Sequence, residues 1–115
     1  YISNDLGESW SGPFAHDIPY VSSKMYSGKL SDGRNYLVAN IDDFIRRRLA
    51  LYLTDQDDMK FNKKHILFDF HDPDLKGIER INYPAACEYK GKLYVIATKN
   101  YSEMVRGAVL YIIEV

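Results

Sequence analysis

The sequence predicts an all-β fold made of repeated four-stranded antiparallel sheets. No stretch of about 12 residues shows the three-four spacing of apolar residues that an amphipathic helix requires. Short runs rich in β-branched and aromatic residues recur instead, with glycine- or aspartate-containing turns between them. One of these runs is repeated later in the chain, which indicates a repeated structural unit.

Seven runs are predicted as strands because each is apolar, short and bounded by turn residues. In chain order they are Met25–Leu30, Asn35–Asn40, Leu49–Thr54, Lys64–Phe68, Ala85–Tyr89, Lys92–Thr98 and Ala108–Val115. The Ser-Asp-Gly turn at 31–33 and the Lys-Gly-Lys turn at 90–92 predict hairpins, because glycine accommodates the positive φ of a tight turn.

Two pairs of segments carry the repeat. Gly33–Ala39 and Gly91–Ala97 share a glycine, a tyrosine, two aliphatic residues and an alanine in the same register. Ser3–Trp10 and Thr54–Phe61 both begin with a hydroxyl residue, continue through acidic turn residues and end on an aromatic residue. Repeats of about 50 residues, each with four short strands, are typical of the blades of a β-propeller.

We therefore expect about two blades of a propeller that has six blades in all. Residues 1–20 would end one blade, with Tyr1–Ile2 in its third strand and Pro13–Ile18 as its outer strand. Residues 21–81 would form a complete blade, and residues 82–115 a last blade without its fourth strand. The chain begins with tyrosine and not methionine, so we expect further residues before it. Missing N-terminal blades of the same protein, or another chain, would cover the open sheet edges.

Composition narrows the class of partner. The 15 basic and 16 acidic side chains give a net charge of −1, which argues against nucleic acid and anionic membrane surfaces as partners. No apolar stretch approaches the roughly 18 residues of a membrane span. Cys87 has no partner for an internal disulfide and is predicted to be a small buried residue. We expect no cofactor and no metal, because His16, His65 and His71 are not spaced as ligands.

One motif is specific. Ser3–Trp10 reads Ser-Asn-Asp-Leu-Gly-Glu-Ser-Trp and fits the pattern S-x-D-x-G-x-S/T-W. In this spacing Asp5 can accept hydrogen bonds from turn amides, and Gly7 can supply a left-handed backbone. Trp10 is expected to fold back between the sheets as the anchor of the hairpin. We assign Ser3, Asp5, Gly7 and Trp10 a structural role and no chemistry. The copy at Thr54–Phe61 is degenerate.

This motif is the Asp box, and the chain resembles the C-terminal part of sialidase-like (BNR/Asp-box) glycoside hydrolases of bacteria. Ser23–Val38 and Tyr83–Ile96 are similar to the inner hairpins of two successive blades in that family. The resemblance implies exo-acting removal of terminal sialic acid, or a related sugar, from a glycan substrate. A glycan substrate in turn implies a secreted or periplasmic protein.

The resemblance implies two site residues. Tyr83 stands where the family has its catalytic nucleophile, and Arg46 where it has the third arginine that grips the substrate carboxylate. A neutral tyrosine avoids repulsion from that carboxylate, and a guanidinium can bind it in a bidentate manner. Pro84 departs from the serine that usually follows the tyrosine. The first two arginines, the catalytic aspartate and the activating glutamate would belong to blades outside this chain.

Alternatives remain open for each assignment. Tyr83 can be a packing residue, and Arg46 a surface residue or an ion-pair partner, with Arg47 or Arg48 taking its place if the register shifts by one. Lys24 and Tyr26 are further candidates for substrate binding.

Two other functions are consistent with the same fold. A polysaccharide lyase or another glycosidase would use His71 as an acid or base. A non-catalytic propeller would bind carbohydrate or protein only.

Overall fold

The computed structural model describes residues 1–15, 18–19, 21–41, 46–69, 79–102 and 104–115. These residues contain seven strands and no helix. The strands are β1 (Tyr26–Lys29), β2 (Asn35–Asn40), β3 (Arg48–Thr54), β4 (Phe61–Asp69), β5 (Arg80–Tyr89), β6 (Lys92–Asn100) and β7 (Arg106–Glu114). In the described part of the chain there is accordingly no helix long and apolar enough to cross a membrane.

The strands form two antiparallel sheets in which each strand pairs with its neighbour in sequence. The first sheet has the order β1-β2-β3-β4 and the second the order β5-β6-β7. Because the strands alternate in direction, the connections divide between two ends of the molecule. The turn end carries the β1–β2, β3–β4 and β5–β6 turns. The loop end carries the β2–β3 connection and the start of β5.

Hydrogen bonds join the two sheets at both ends. At the turn end, the backbone N–H and the hydroxyl of Ser31 both donate to the carboxylate of Glu88, each at 2.6 Å. At the loop end, the N–H of Ile81 donates to the carbonyl of Arg46 at 2.9 Å. The start of β5 is therefore held against the connection that precedes β3.

The main core lies between the two sheets. Val38, Leu49 and Leu51 from the first sheet pack against Leu93 and Val95 from the second, and all five are 0% exposed. A smaller cluster covers the opposite face of the first sheet. It comprises Leu37, Ala39, Ile41, Ala50 and Tyr52, with Ile18 and Phe61 packed against it. The central strands β2 and β3 are thus buried on both faces, as their near-continuous apolar runs require.

The opposite face of the second sheet is apolar and open. Cys87, Ile96, Leu110 and Ile112 all lie exposed there, because successive residues of a strand point to opposite faces. The prediction that Cys87 is buried is therefore wrong. The alternation places Ala86 towards the first sheet and Cys87 away from it.

The all-β prediction is confirmed, and the differences concern strand bounds. The strand predicted at Lys64–Phe68 is nine residues long and begins at Phe61, and the one predicted at Ala85–Tyr89 begins at Arg80. Among residues 13–15 and 18, where an outer strand was predicted, no strand is present, and Ile2 pairs with Ser11 in an isolated antiparallel bridge. The arrangement of the sheets as propeller blades, and the division at residues 20 and 81, stay predictions.

Candidate functional site

Arg46 lies at the loop end, in the connection that leads into β3. Its backbone is left-handed, with φ of 60°, a conformation that residues other than glycine seldom adopt. Its carbonyl accepts the hydrogen bond from Ile81, and its Nη2 donates to the carbonyl of Ser22 at 2.9 Å. The guanidinium is therefore held between the segment that precedes β1 and the start of β5.

Tyr83 lies on a bulge of β5. The pairing of β5 with β6 shifts register between Asn82 and Ala85, and Tyr83 has φ of 53°. Pro84, which follows it, is buried and has no N–H to donate to the ladder. The bulge directs the Tyr83 side chain outward, where 52% of the residue is exposed. Bulges of this kind are frequent beside active sites, where they change the direction of a side chain.

The structure brings Arg46 and Tyr83 together. Nη1 of Arg46 donates to the hydroxyl oxygen of Tyr83 at 3.2 Å, and the Arg46 Cζ lies 5.5 Å from the centre of the tyrosine ring. A guanidinium has five N–H donors, and within the described residues two of them bind Ser22 and Tyr83. The positively charged guanidinium of Arg46 thus lies beside the hydroxyl of Tyr83 and the exposed edge of its ring.

Arg46 and Tyr83 both have a left-handed backbone, and their side chains meet each other. Each such conformation costs about 1–3 kcal/mol for a residue that is not glycine, and it persists only where surrounding structure enforces it. Residues strained in this way cluster at ligand sites. Arg46 and Tyr83 belong to different sheets, so their meeting is a property of the tertiary structure and not of one strand.

Sequence reasoning missed two groups that hold the pair. The Ser22 carbonyl is a backbone group and leaves no signal in the sequence. Asn40 is 1% exposed, and its amide joins the chain around Arg48 to β5. Its signal was available, because Asn40 is a polar residue that ends an otherwise buried apolar strand.

The other candidates for substrate binding, Lys24 and Tyr26, differ in their surroundings. Lys24 is exposed in the segment before β1. Tyr26 begins β1, its ring stacks on Tyr36 at 6.5 Å between centroids, and it packs against the main core. The contacts of Tyr26 support a packing role.

The run of three arginines is divided by the fold. Arg46 contacts Tyr83, whereas Arg48 begins β3 and its Nε lies 3.2 Å from a carboxylate oxygen of Asp69. His71, the alternative acid or base, lies outside the described residues, as does His16. Within the described ranges no group of three or more histidine, cysteine or acidic side chains is arranged to hold a metal ion.

The Asp box forms the hairpin that its spacing predicts. The Ser3 hydroxyl donates to Asp5 at 2.8 Å and accepts from the N–H of Gly7 at 2.8 Å, and the N–H of Ser9 donates to Asp5 at 2.9 Å. Gly7 has φ of 93°, as expected for a left-handed turn residue. Trp10 differs from its prediction. It is 63% exposed and lies over its own turn, where its Nε1 donates to the Gly7 carbonyl at 3.1 Å.

Asp5 is the acceptor at the centre of this hairpin. The hydroxyl of Ser9 donates to the other carboxylate oxygen of Asp5. This bond, followed by the bond from the Ser9 N–H and that from the Ser3 hydroxyl, lowers the pKa of Asp5 to about 2. Hydrogen bonds to the charged form favour ionisation. The role of Asp5 in the described residues is thus to close the hairpin.

The degenerate copy occupies the β3–β4 turn. Thr54 is buried, and its hydroxyl accepts the N–H of Asn35 at 2.8 Å. Asp58, which replaces the glycine of the motif, accepts the N–H groups of Met59 and Lys60 at 2.6 and 3.1 Å. The turn therefore still has an aspartate that accepts backbone N–H groups, but this aspartate is Asp58, at the glycine position of the motif.

A shallow apolar depression on the open face of the second sheet is a different feature. Its volume is about 350 Å³, and it is lined by Ala85, Ala86, Cys87, Tyr94, Ile96 and Leu110. Small-molecule sites combine apolar walls with convergent polar groups, which this lining lacks. The Arg46–Tyr83 pair is therefore the better candidate for a ligand site.

No protein-family model, curated protein or solved structure matches the chain.

Proposed function

We propose that this chain is part of a sialidase-type glycoside hydrolase and that Arg46 and Tyr83 lie in its substrate pocket. The observation that supports this is the 3.2 Å contact between the Arg46 guanidinium and the Tyr83 hydroxyl at the loop end. The resemblance assigns these two positions to the same pocket from sequence patterns far apart in the chain. Their contact across two sheets is what such a pocket requires.

The chemistry of the pair suits a sugar that carries a carboxylate. Arg46 can offer its remaining N–H groups to the carboxylate as charge-assisted hydrogen bonds. The exposed ring of Tyr83 can lie beside the sugar, and its hydroxyl oxygen is placed next to the bound charge. In the hydrolysis we propose, this oxygen attacks the anomeric carbon as its proton passes to the activating glutamate, and the glycosidic bond breaks as the catalytic aspartic acid gives its proton to the leaving oxygen. Both acids would lie in the blades outside this chain. Water then releases the sugar from the tyrosine.

Binding is the first test, and it uses the protein that carries this chain. Sialic acid and its methyl ester differ in the charge of the carboxylate, so the ratio of their dissociation constants reports carboxylate recognition. Hydrogen bonds to a charged group contribute about 1.5–3 kcal/mol, which is roughly a 10- to 100-fold ratio. Arg46→Ala should reduce the ratio by about this factor. Arg34→Ala is the matched control, because Arg34 pairs with Asp32 at the turn end and should leave the ratio unchanged.

Turnover is the second test. The protein that carries this chain should release the fluorophore from a fluorogenic sialoside, and Tyr83→Phe should abolish release while sialic acid still binds. Binding without turnover would favour the non-catalytic propeller. Turnover of an uncharged glycoside, at a rate that Arg46→Ala does not change, would favour another glycosidase. Equal binding of sialic acid and its methyl ester would refute carboxylate recognition by Arg46.

A further inference from the structure

We propose that Asn40 is a positioning residue that sets the direction of the Arg46 guanidinium and its distance from Tyr83. This inference rests on the proposed function for its ligand, but its structural part can be tested without one. Asn40 ends β2 at the loop end and is 1% exposed, so it touches no solvent and would touch no substrate. Its effect on the site must pass through the groups that it binds.

The side-chain amide of Asn40 makes three hydrogen bonds within the described residues. Both donor bonds go to backbone carbonyls, to Arg48 at 2.9 Å and to Ile81 at 2.7 Å. The amide oxygen accepts the hydroxyl of Ser23 at 2.9 Å. Buried polar side chains with every bond satisfied fix the relative positions of the segments that they join. Asn40 thus joins three segments that are distant in sequence.

These three segments are the ones that hold Arg46. Ser23 follows Ser22, whose carbonyl binds the Arg46 guanidinium. Arg48 follows Arg46 by two residues, and the N–H of Ile81 binds the Arg46 carbonyl. Ile81 in turn lies two residues before Tyr83 on β5. The backbone anchor, the side-chain anchor and the partner of Arg46 are therefore all within two residues of a group that Asn40 binds.

The geometry explains how two strained residues are kept in place. Arg46 and Tyr83 both have a left-handed backbone, which relaxes unless surrounding bonds prevent it. Asn40 supplies bonds on both sides of the strain, at Arg48 and at Ile81. A site whose direct contacts are supported by a buried second layer keeps its geometry within the tolerance that binding requires.

The test uses the isosteric variant Asn40→Asp in the full chain. A carboxylate would face two carbonyl oxygens, so the segments would separate and the guanidinium would lose its fixed direction. We expect the ratio of the sialic acid and methyl ester dissociation constants to fall at least tenfold, towards one. A merely structural role would lower the folded fraction, which weakens both ligands equally and leaves the ratio unchanged.

Asn35→Asp is the matched control. Asn35 begins the same strand at the turn end, and its amide donates to the carbonyl of Asp58 at 2.7 Å. Asn35→Asp should melt at a lower temperature than the unsubstituted protein, but the ratio of its dissociation constants for sialic acid and the methyl ester should be unchanged. If Asn40→Asp does not fold, Ser23→Ala removes only the bond to the amide oxygen and should reduce the ratio two- to fivefold. An unchanged ratio in the folded variant overturns the inference.

A ligand-independent measurement separates this inference from the proposed function. Nitrogen-15 spectra of the arginine side chains should show restrained, separate Nη–H signals for Arg46, assigned by their loss in Arg46→Lys. Asn40→Asp should average these signals by rotation, and Asn35→Asp should not. If the chain fails to discriminate the two ligands but shows this averaging, the proposed function fails and the positioning role stands. Unaltered Arg46 signals in Asn40→Asp refute the positioning role.

Discussion

The left-handed backbone at Tyr83 gives a sharp test of the bulge that presents this residue. Replacing Tyr83 by alanine or by glycine removes the same side chain beyond Cβ, so the difference between the two variants reports the backbone. At φ of 53° the Cβ of a residue other than glycine costs about 1–2 kcal/mol. Glycine avoids this cost but loses about 0.5–1 kcal/mol through its freer unfolded chain. The free energy of unfolding of Tyr83→Gly should therefore be about 0.5–1 kcal/mol higher than that of Tyr83→Ala.

Tyr89 provides the control on the same strand. It is 59% exposed, against 52% for Tyr83, and it is not among the residues with positive φ. Here glycine should be less stable than alanine by about 0.5–1 kcal/mol, so the sign of the difference reverses. The gap between the two comparisons isolates the left-handed cost of about 1–2 kcal/mol, or roughly 4–8 °C in melting temperature for a chain of this size.

Thermal and urea unfolding, followed by circular dichroism, measure the four variants under the same conditions. If the glycine variant is less stable than the alanine variant at Tyr83 as well as at Tyr89, the backbone at Tyr83 is not strained, and the bulge does not have the geometry described. If glycine is favoured only at Tyr83, stability is lost there to present the side chain. Such a loss is expected where a residue serves binding and not folding.

Three further predictions concern the hairpin and the core. The bonds from the Ser9 hydroxyl and N–H hold the pKa of Asp5 at about 2 in the folded chain, below the ordinary value of 3.8. The hairpin therefore gains stability from ionised Asp5 above pH 4 and loses it as the pH falls towards 2, and carboxyl NMR should show a midpoint near 2. Leu51→Ala should lower the free energy of unfolding by about 2–5 kcal/mol, whereas Leu110→Ala, on the open face, should cost about 0.5 kcal/mol or less. Urea unfolding compares the two, and equal losses would contradict the assignment of the core. Gly28→Ala would place a Cβ 2.5 Å from the hydroxyl of the neighbouring tyrosine on β2 and should cost about 1–3 kcal/mol, measured in the same way. An unchanged melting temperature for this variant would argue against the close pairing of β1 with β2.

The sequence predicted the strands because their apolar pattern and turn residues act locally. Asn35–Asn40 is a strand with the predicted bounds, and Gly33 and Gly91 have the positive φ expected of hairpin glycines. The start of β5 was missed because residues 80–84 contain two polar residues, Arg80 and Asn82, and a proline. Pairing with β6 across a bulge, which no local pattern encodes, extends the strand through them.

The site was predictable only in part, because it too depends on contacts that no local sequence pattern encodes. The identities of Arg46 and Tyr83 came from the resemblance, and nothing in their sequence neighbourhood indicates that they touch. Their contact depends on how the two sheets pack and on left-handed residues that propensity disfavours. The Trp10 prediction failed because the indole N–H binds a carbonyl of its own turn and the side chain stays exposed, which the spacing of the motif does not specify.

The repeat also explains why the pair forms where it does. The repeated segments Gly33–Ala39 and Gly91–Ala97 contribute to β2 and β6, each of which is the second strand of its sheet. Val38 on β2 is buried by the second sheet. Its equivalent on the second sheet is Ile96, which is 47% exposed, whereas Val95 faces back towards the first sheet. The two sheets therefore present corresponding faces in the same direction, and within the described residues no sheet covers the face that carries Ile96. This stacking brings the connection after β2 to β5, the first strand of the second sheet, where Arg46 contacts Tyr83. In the propeller we propose, a further sheet on the open face would meet the β6–β7 connection in the same way and extend the pocket at the loop end.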